Sequence, residues 1–304
     1  MLHVPASLQV TEGVITRERL YSYAAVFHCT TDDELVGSYL WNVAACSALF
    51  QLITAAEVTL RNSVDGALRP DLGSYWWRKQ TLQYKNFVPN GPVPDVVKKL
   101  REKFSGSAKA VIKAKIERYQ TPNAIPTHHE TIANTDFATW EYILDEEFLG
   151  PGLPWPKHMR RVFRGTWPDS SDRTTLRFAR EVVADIRAIR NRVYHNEPVW
   201  KAFGVQTEAD AMQYLQSKIT KIESLLSLIE PQKLEMLRQS RVLAHVYRVA
   251  SLPELRRYQG KTSPVNIKPV GKVLQLLEAA HVSDETRIAV VRAGGKKYYA
   301  IQPL

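Results

Sequence analysis

A chain of 304 residues with 44% hydrophobic and 24% charged residues can bury a core of its own, so its stability needs no disulfide staples. Lys and Arg number 41 against 31 Asp and Glu, and the resulting net charge of +10 favours polyanionic partners, nucleic acid first. Two cysteines, Cys29 and Cys46, are too few for a disulfide framework and sit at no metal-ligand spacing.

The N-terminal stretch MLHVPASLQVTEG lacks a basic region followed by an apolar block, so no signal peptide is expected. Helical periodicity begins near Thr16–Phe27, where Leu20, Tyr23, Ala24 and Phe27 fall on one face. Asp32-Asp33 marks a further helix start, and Leu40 to Leu68 reads as one long or slightly broken helix. Its segment Leu40–Leu60 approaches membrane-spanning length but contains Asn42, Gln51 and Glu57. A lone carboxylate is expensive in a bilayer, which favours a buried helix, no membrane contact and a cytoplasmic protein. A Pro- and Gly-containing loop (Asn86 to Pro94) precedes a basic helix pair split at Ser105-Gly106-Ser107. Thr121–Thr127 is a second loop, and Phe137–Leu149 is helical.

Ser170-Ser171-Asp172 caps a strong helix from Arg173 to about Tyr194, and Ala209–Ile229 is the last long amphipathic helix. After Pro231 come a short helical piece, a loop at Gly260–Pro269 and a short helix at Gly271–Ala280. Arg287–Val291 and Lys297–Ile301, flanking Ala293-Gly294-Gly295, read as a β-hairpin. The organisation expected is a mainly α domain over residues 1–231 and an appended α+β module over 232–304.

The chemistry concentrates at the end of the Arg173–Tyr194 helix, in the string Arg190-Asn191-Arg192-Val193-Tyr194-His195-Asn196-Glu197-Pro198. Pro198 disfavours helical geometry at Glu197, so the helix finishes near His195, where carbonyl ends favour a positive charge. Asn191 and His195 share a face. Arg190 and His195 lie about 140° apart around an ideal helix, so they flank a groove or meet only where the helix end unwinds. Cleaving RNA without a metal requires a base for the 2′-hydroxyl, a cation for the phosphorane and an acid for the leaving 5′-oxygen. His195 suits the proton work, Arg190 suits the phosphate, and Asn191 can orient either. Such a reaction leaves a 2′,3′-cyclic phosphate and a 5′-hydroxyl and spares DNA.

This string resembles the RNRIAHHEP signature of Abi-like HEPN proteins. Leu40-Trp41-Asn42 followed by Glu57-Val58-Thr59-Leu60-Arg61-Asn62 resembles that family's YxWN…EVxLRNAI helix, and Ile132 to Trp140 resembles its FGFW segment. The three matches stand in the family's order and cover roughly residues 15–230. The resemblance implies an all-helical HEPN bundle, ribonuclease activity through the Arg–polar–His motif, a phage-defence toxin, and a homodimer with two motifs across one cleft. Asn196 stands where a second histidine is common, and Ala138 replaces the glycine of the FGFW segment.

Glu57, Arg61, Asn62 and Glu197 are candidate supporting residues, through catalytic support or a structural polar network. Lys98, Lys99, Lys113, Arg160, Arg161, Arg187 and Arg192 are the candidate RNA-binding cations. His128-His129-Glu130 reads as a loop without a second ligand pair rather than a metal site, and Trp76-Trp77 as core rather than a base-stacking platform. Neither a phosphate-cradling glycine loop nor a nucleophile elbow is present, and no metal or cofactor is expected. The partners expected are an RNA substrate, a second copy of the chain, and a regulatory RNA or protein antitoxin. The rival reading is a non-catalytic HEPN module that binds RNA.

Overall fold

The computed structural model describes residues 15–120 and 122–262, with the backbone of 265–266, 275, 289–293 and 297–301. The described chain is mainly helical. In order it forms α1 (Arg17–Phe27), α2 (Asp32–Leu72), α3 (Asp95–Tyr119), α4 (His128–Ala133), α5 (Phe137–Ile143), a 3-10 turn (Glu146–Phe148), α6 (Pro154–Lys157) and α7 (Met159–Val162). Then follow α8 (Asp172–Tyr194), α9 (Glu208–Ile229), α10 (Pro231–Gln239), α11 (Val242–Val249) and α12 (Leu252–Tyr258). Strands β2 (Ala289–Ala293) and β3 (Lys297–Ile301) pair antiparallel, with Val291 opposite Tyr299, and β1 (Val265–Asn266) runs parallel to β2. The turn between β2 and β3 and the helix expected at Gly271–Ala280 lie outside the described residues, save position 275.

Local chemistry explains where several elements differ from expectation. The basic stretch is one helix, α3, with no break at Ser105–Ser107. Gly106 has open space around it, while Ser107 bonds back to the Lys103 carbonyl (3.0 Å) and across to the Asn134 carbonyl (3.1 Å). His128-His129-Glu130 opens helix α4 rather than lying in a loop. Thr127 and Glu130 form a reciprocal capping box that nucleates it. Likewise Phe137–Leu149 is not one helix, because Asp145 caps a new 3-10 turn.

Two compact units share the chain. One comprises residues 1–53, 189–220 and 236–304; the other comprises 54–188 and 221–235. The division therefore falls elsewhere than at residue 231. Residues 236–262 belong with the N-terminal helices because specific contacts join them. Trp41 Nε1 donates to the Val249 carbonyl at 2.7 Å, and Gly37 lies so close to the Tyr258 carbonyl that an added Cβ would sit 2.2 Å from its oxygen. Around these contacts the first unit buries an aromatic cluster, with Trp200 edge-on to Tyr23 (5.1 Å) and Phe27 (4.6 Å), and Phe27 edge-on to Trp41 (5.5 Å). Among the described residues α2 is the one helix long and apolar enough to cross a membrane, and Leu49, Leu52, Ile53, Ala56 and Leu60 along it are buried in the fold.

The second unit centres on Trp76, Phe104, Trp140, Trp155 and Phe163, all fully buried. Trp77 stacks on Phe104 with ring centroids 4.2 Å apart and planes 6° from parallel. Beneath these rings lies a buried polar relay: Asp65 Oδ1 accepts from Trp76 Nε1 and faces His128 Nε2, both at 2.9 Å, while His128 Nδ1 accepts the Tyr75 backbone N–H at 3.0 Å. A ring nitrogen that accepts an amide proton is unprotonated, so His128 is neutral here and donates through Nε2.

That relay sets a pH dependence. Burial pushes His128 below its ordinary value of 6.5, against the pull of Asp65 and with His129 and Arg69 adding to the push. Burial lowers His158 and His245 as well. As pH falls through the ordinary histidine value, the unfolded chain takes up protons that the folded chain refuses. Stability is thus full above that value and is lost as pH falls toward the depressed ones. The urea midpoint is expected to drop between pH 7.5 and pH 5.5, and His128→Gln to flatten part of that slope. A midpoint constant across this window in the native chain would contradict the assignment.

Candidate active site at the end of helix α8

Helix α8 is set at its start by Ser171, whose carbonyl accepts the Thr175 N–H (3.0 Å) and whose hydroxyl accepts the Thr174 N–H (3.3 Å). At its other end the chain closes a Schellman turn. The Glu197 N–H returns to the Arg192 carbonyl (2.9 Å) and the Asn196 N–H to the Val193 carbonyl (3.1 Å), with Asn196 at φ 49°. Asparagine tolerates this left-handed geometry better than most residues, and Pro198 forbids the helix to resume. The position where the resemblance suggests a second histidine is, in this chain, the residue that reverses the backbone.

Three side chains fix the turn from outside. Asn42, fully buried on α2, donates to the Glu197 carbonyl (3.1 Å) and accepts the Val199 N–H (3.0 Å). Arg19 on α1 donates to the carbonyls of His195 (3.0 Å) and Asn196 (2.6 Å). Arg192 donates to the carbonyls of Pro198 and Lys201, and Trp200 anchors the exit in the aromatic cluster. The carbonyls that the sequence left open to favour a charged His195 are thus occupied in part by the Arg19 guanidinium.

What remains at the surface is a short row of side chains. The Arg190 guanidinium lies 5.3 Å from the centroid of the Tyr194 ring, and the Tyr194 and His195 rings meet edge-on at 5.9 Å. Tyr194 is 67% exposed, and Asn191, His195 and Glu197 are exposed as well. Among the described residues no side chain hydrogen-bonds the His195 imidazole. Arg190 and His195 are therefore joined through Tyr194 rather than touching, which matches their separation around the helix. Glu197 serves the turn through its backbone.

The remaining candidates lie mostly in the other unit. Arg61 donates to the Ala133 carbonyl (3.2 Å) with its Nε buried and unpartnered, Glu57 is half-buried, and Asn62 is exposed. Several of the candidate RNA-binding cations already have partners: Lys98 with Asp95 (3.2 Å), Lys113 with Glu117 (3.8 Å), Arg161 with Asp71 (3.3 Å) and Arg187 with Glu141 (2.6 Å). Arg160 lies over the Trp167 ring at 3.5 Å, Lys99 is exposed, and Arg192 is engaged by backbone carbonyls. Asp65, His128 and His129 bring ligand-type atoms within 4.8 Å of one another. Both His128 nitrogens are committed to Asp65 and Tyr75, and Arg69 faces His129 Nε2 at 2.9 Å, so the cluster reads as a hydrogen-bond relay.

Sequence reasoning missed Arg19 and Tyr194. Nothing near Arg19 signals a partner 176 residues away. Tyr194 lies inside the motif, but its contact with Arg190 follows only from the four-residue helical spacing. A scan of protein-family models and searches of curated proteins and of solved structures find no match to this chain.

Proposed function

We propose that this chain is a HEPN-type endoribonuclease of the Abi-like kind, cleaving RNA without a metal and acting as a cytoplasmic phage-defence toxin. The observation that carries the reading is a helix end held by Asn42, Arg19 and Arg192 through backbone groups, with Asn191 and His195 exposed and Arg190 half-buried beside them. A turn fixed this way keeps its side chains available for a ligand. In the reaction, Arg190 holds the phosphate oxygens with its fork and stabilises the pentavalent phosphorane. His195 moves a proton at the 2′-oxygen or the departing 5′-oxygen, and Asn191 orients the phosphate.

One imidazole cannot serve as base and acid in the same instant. Because no side chain among the described residues hydrogen-bonds the His195 imidazole, a second copy is the natural source of the other proton group, and the proposed active form is a homodimer. A toxin of this kind is restrained by a bound regulatory RNA or by a protein antitoxin.

The test is cleavage of an end-labelled RNA in EDTA. Fragments are expected to carry 5′-hydroxyls open to direct kinase labelling, and 3′ ends that resist phosphatase until acid opens the cyclic phosphate. DNA of the same sequence is expected to remain intact. Cleavage that stops in EDTA, or that leaves 5′-phosphates, would refute the mechanism. RNA bound but uncut by the dimer would leave the binding-module reading in its place.

A further inference from the structure

The second unit holds a cavity of about 350 Å³ in its own right, opening between the start of the 73–85 loop region, helix α3 and the chain leading into α4. Its volume falls within the range of small-molecule sites. Its walls divide by chemistry. One is apolar and rigid: Trp77 is clamped between Phe104 and His128, the latter stacked 5.1 Å away and pinned by Asp65 and the Tyr75 amide. With both faces taken, Trp77 is a wall rather than a stacking platform. The other wall is cationic, formed by Arg78, Lys79 and Arg101, and no carboxylate lines the cavity.

Arg101 carries the most information. Its Nη2 reaches the Leu82 carbonyl at 3.3 Å, and its guanidinium lies 5.8 Å from the Tyr84 ring. Its Nε–H, however, is buried with no acceptor among the described residues. Burial also pushes this guanidinium below its usual range, the sign of a charge that lacks a counter-ion. An anion entering the cavity would answer both deficits. Also lining the cavity, the Arg78 guanidinium lies 4.3 Å over the Tyr75 ring, a preformed layered pair against which a further flat group can stack. Gln80 and Ser105 add neutral hydrogen-bonding groups to the lining. The cavity is several times larger than a phosphate ion needs and too charged for a neutral aromatic.

We propose that this cavity binds a nucleoside phosphate, its phosphate on Arg101 and Lys79 and its base against the Arg78–Tyr75 layer. The shared chemistry admits two sources, a free mononucleotide or the phosphorylated end of a strand. The proposal does not depend on the ribonuclease reading, because none of its residues belongs to the Arg190–His195 motif.

Calorimetric titration of the full chain tests it, using AMP, GMP, adenosine, inorganic phosphate and a 5′-phosphorylated tetranucleotide. One equivalent of nucleotide is expected to bind, and Arg101→Gln to weaken it roughly tenfold or more, the loss of a hydrogen bond to a charged group. Arg78 is exposed, so Arg78→Gln keeps the test open should the Arg101 variant misfold; it is expected to weaken binding severalfold at an unchanged melting temperature. Tighter binding of the tetranucleotide than of AMP would identify a strand end as the source, and the reverse a free nucleotide. Phosphate or adenosine binding as tightly as AMP, no nucleotide binding, or binding that survives both substitutions would each overturn the proposal.

Discussion

Replacing His195 by alanine is expected to lower the rate of RNA cleavage by about 10³-fold, within the usual range for losing a general acid or base. Replacing Arg190 by alanine is expected to cost a similar factor. Arg190→Lys should recover only part of it, since lysine keeps the charge and loses the two-pronged grip on phosphate. Neither variant should unfold the protein: His195 is exposed, and Arg190 is half-buried with its guanidinium over Tyr194, itself at the surface. The assay is single-turnover cleavage of a labelled RNA, with circular dichroism as the control on folding. Activity within tenfold of the native rate in both alanine variants would remove Arg190 and His195 from the chemistry.

The largest loss of stability around the motif is expected from Asn42→Ala. Asn42 is fully buried and satisfies a carbonyl and an amide of the Glu197–Val199 segment. Removing it leaves the Val199 N–H without its partner and the Glu197 carbonyl with the weak Cys46 thiol contact at 3.8 Å, so at about 1–3 kcal/mol for an unsatisfied buried group the loss should reach about 2–3 kcal/mol. Asn42→Asp keeps an acceptor for the Val199 N–H but sets a carboxylate against the Glu197 carbonyl, so it should not rescue. Urea unfolding reads the effect, and a loss below about 1 kcal/mol would mean that water or a neighbour replaces the amide. Because the turn behind His195 loosens with it, cleavage by the folded Asn42→Ala protein should fall too.

Much of the helical layout was legible because periodicity and caps are local signals. Ser171 at the start of α8 and Pro198 beyond its end mark that helix within a residue or so. The capping box at Thr127–Glu130 is equally local, and its spacing marks the start of α4, where the neighbouring prolines suggest a loop. The rest was illegible for physical reasons. That α11 and α12 belong with α1 and the first half of α2 depends on Trp41 meeting a carbonyl 208 residues away and on the tight approach at Gly37. Neither leaves a mark in composition. The charge pattern also hid local partners: Arg187 pairs with Glu141, and Arg192 donates to backbone carbonyls. Asn42 was visible within a resembling motif, while its work as a clasp on the loop after His195 required coordinates.

The unit that carries the motif is assembled from the beginning, the middle and the end of the chain. A ribosome delivers α1 and the first half of α2 first, the Arg190–His195 turn well after them, and the Val249 partner of Trp41 later still. Contacts of such sequence separation form slowly even after release. A nascent chain with this topology therefore carries the Arg190–His195 turn before the Val249 contact of Trp41 exists, so the unit around the motif closes only after some fifty further residues are made.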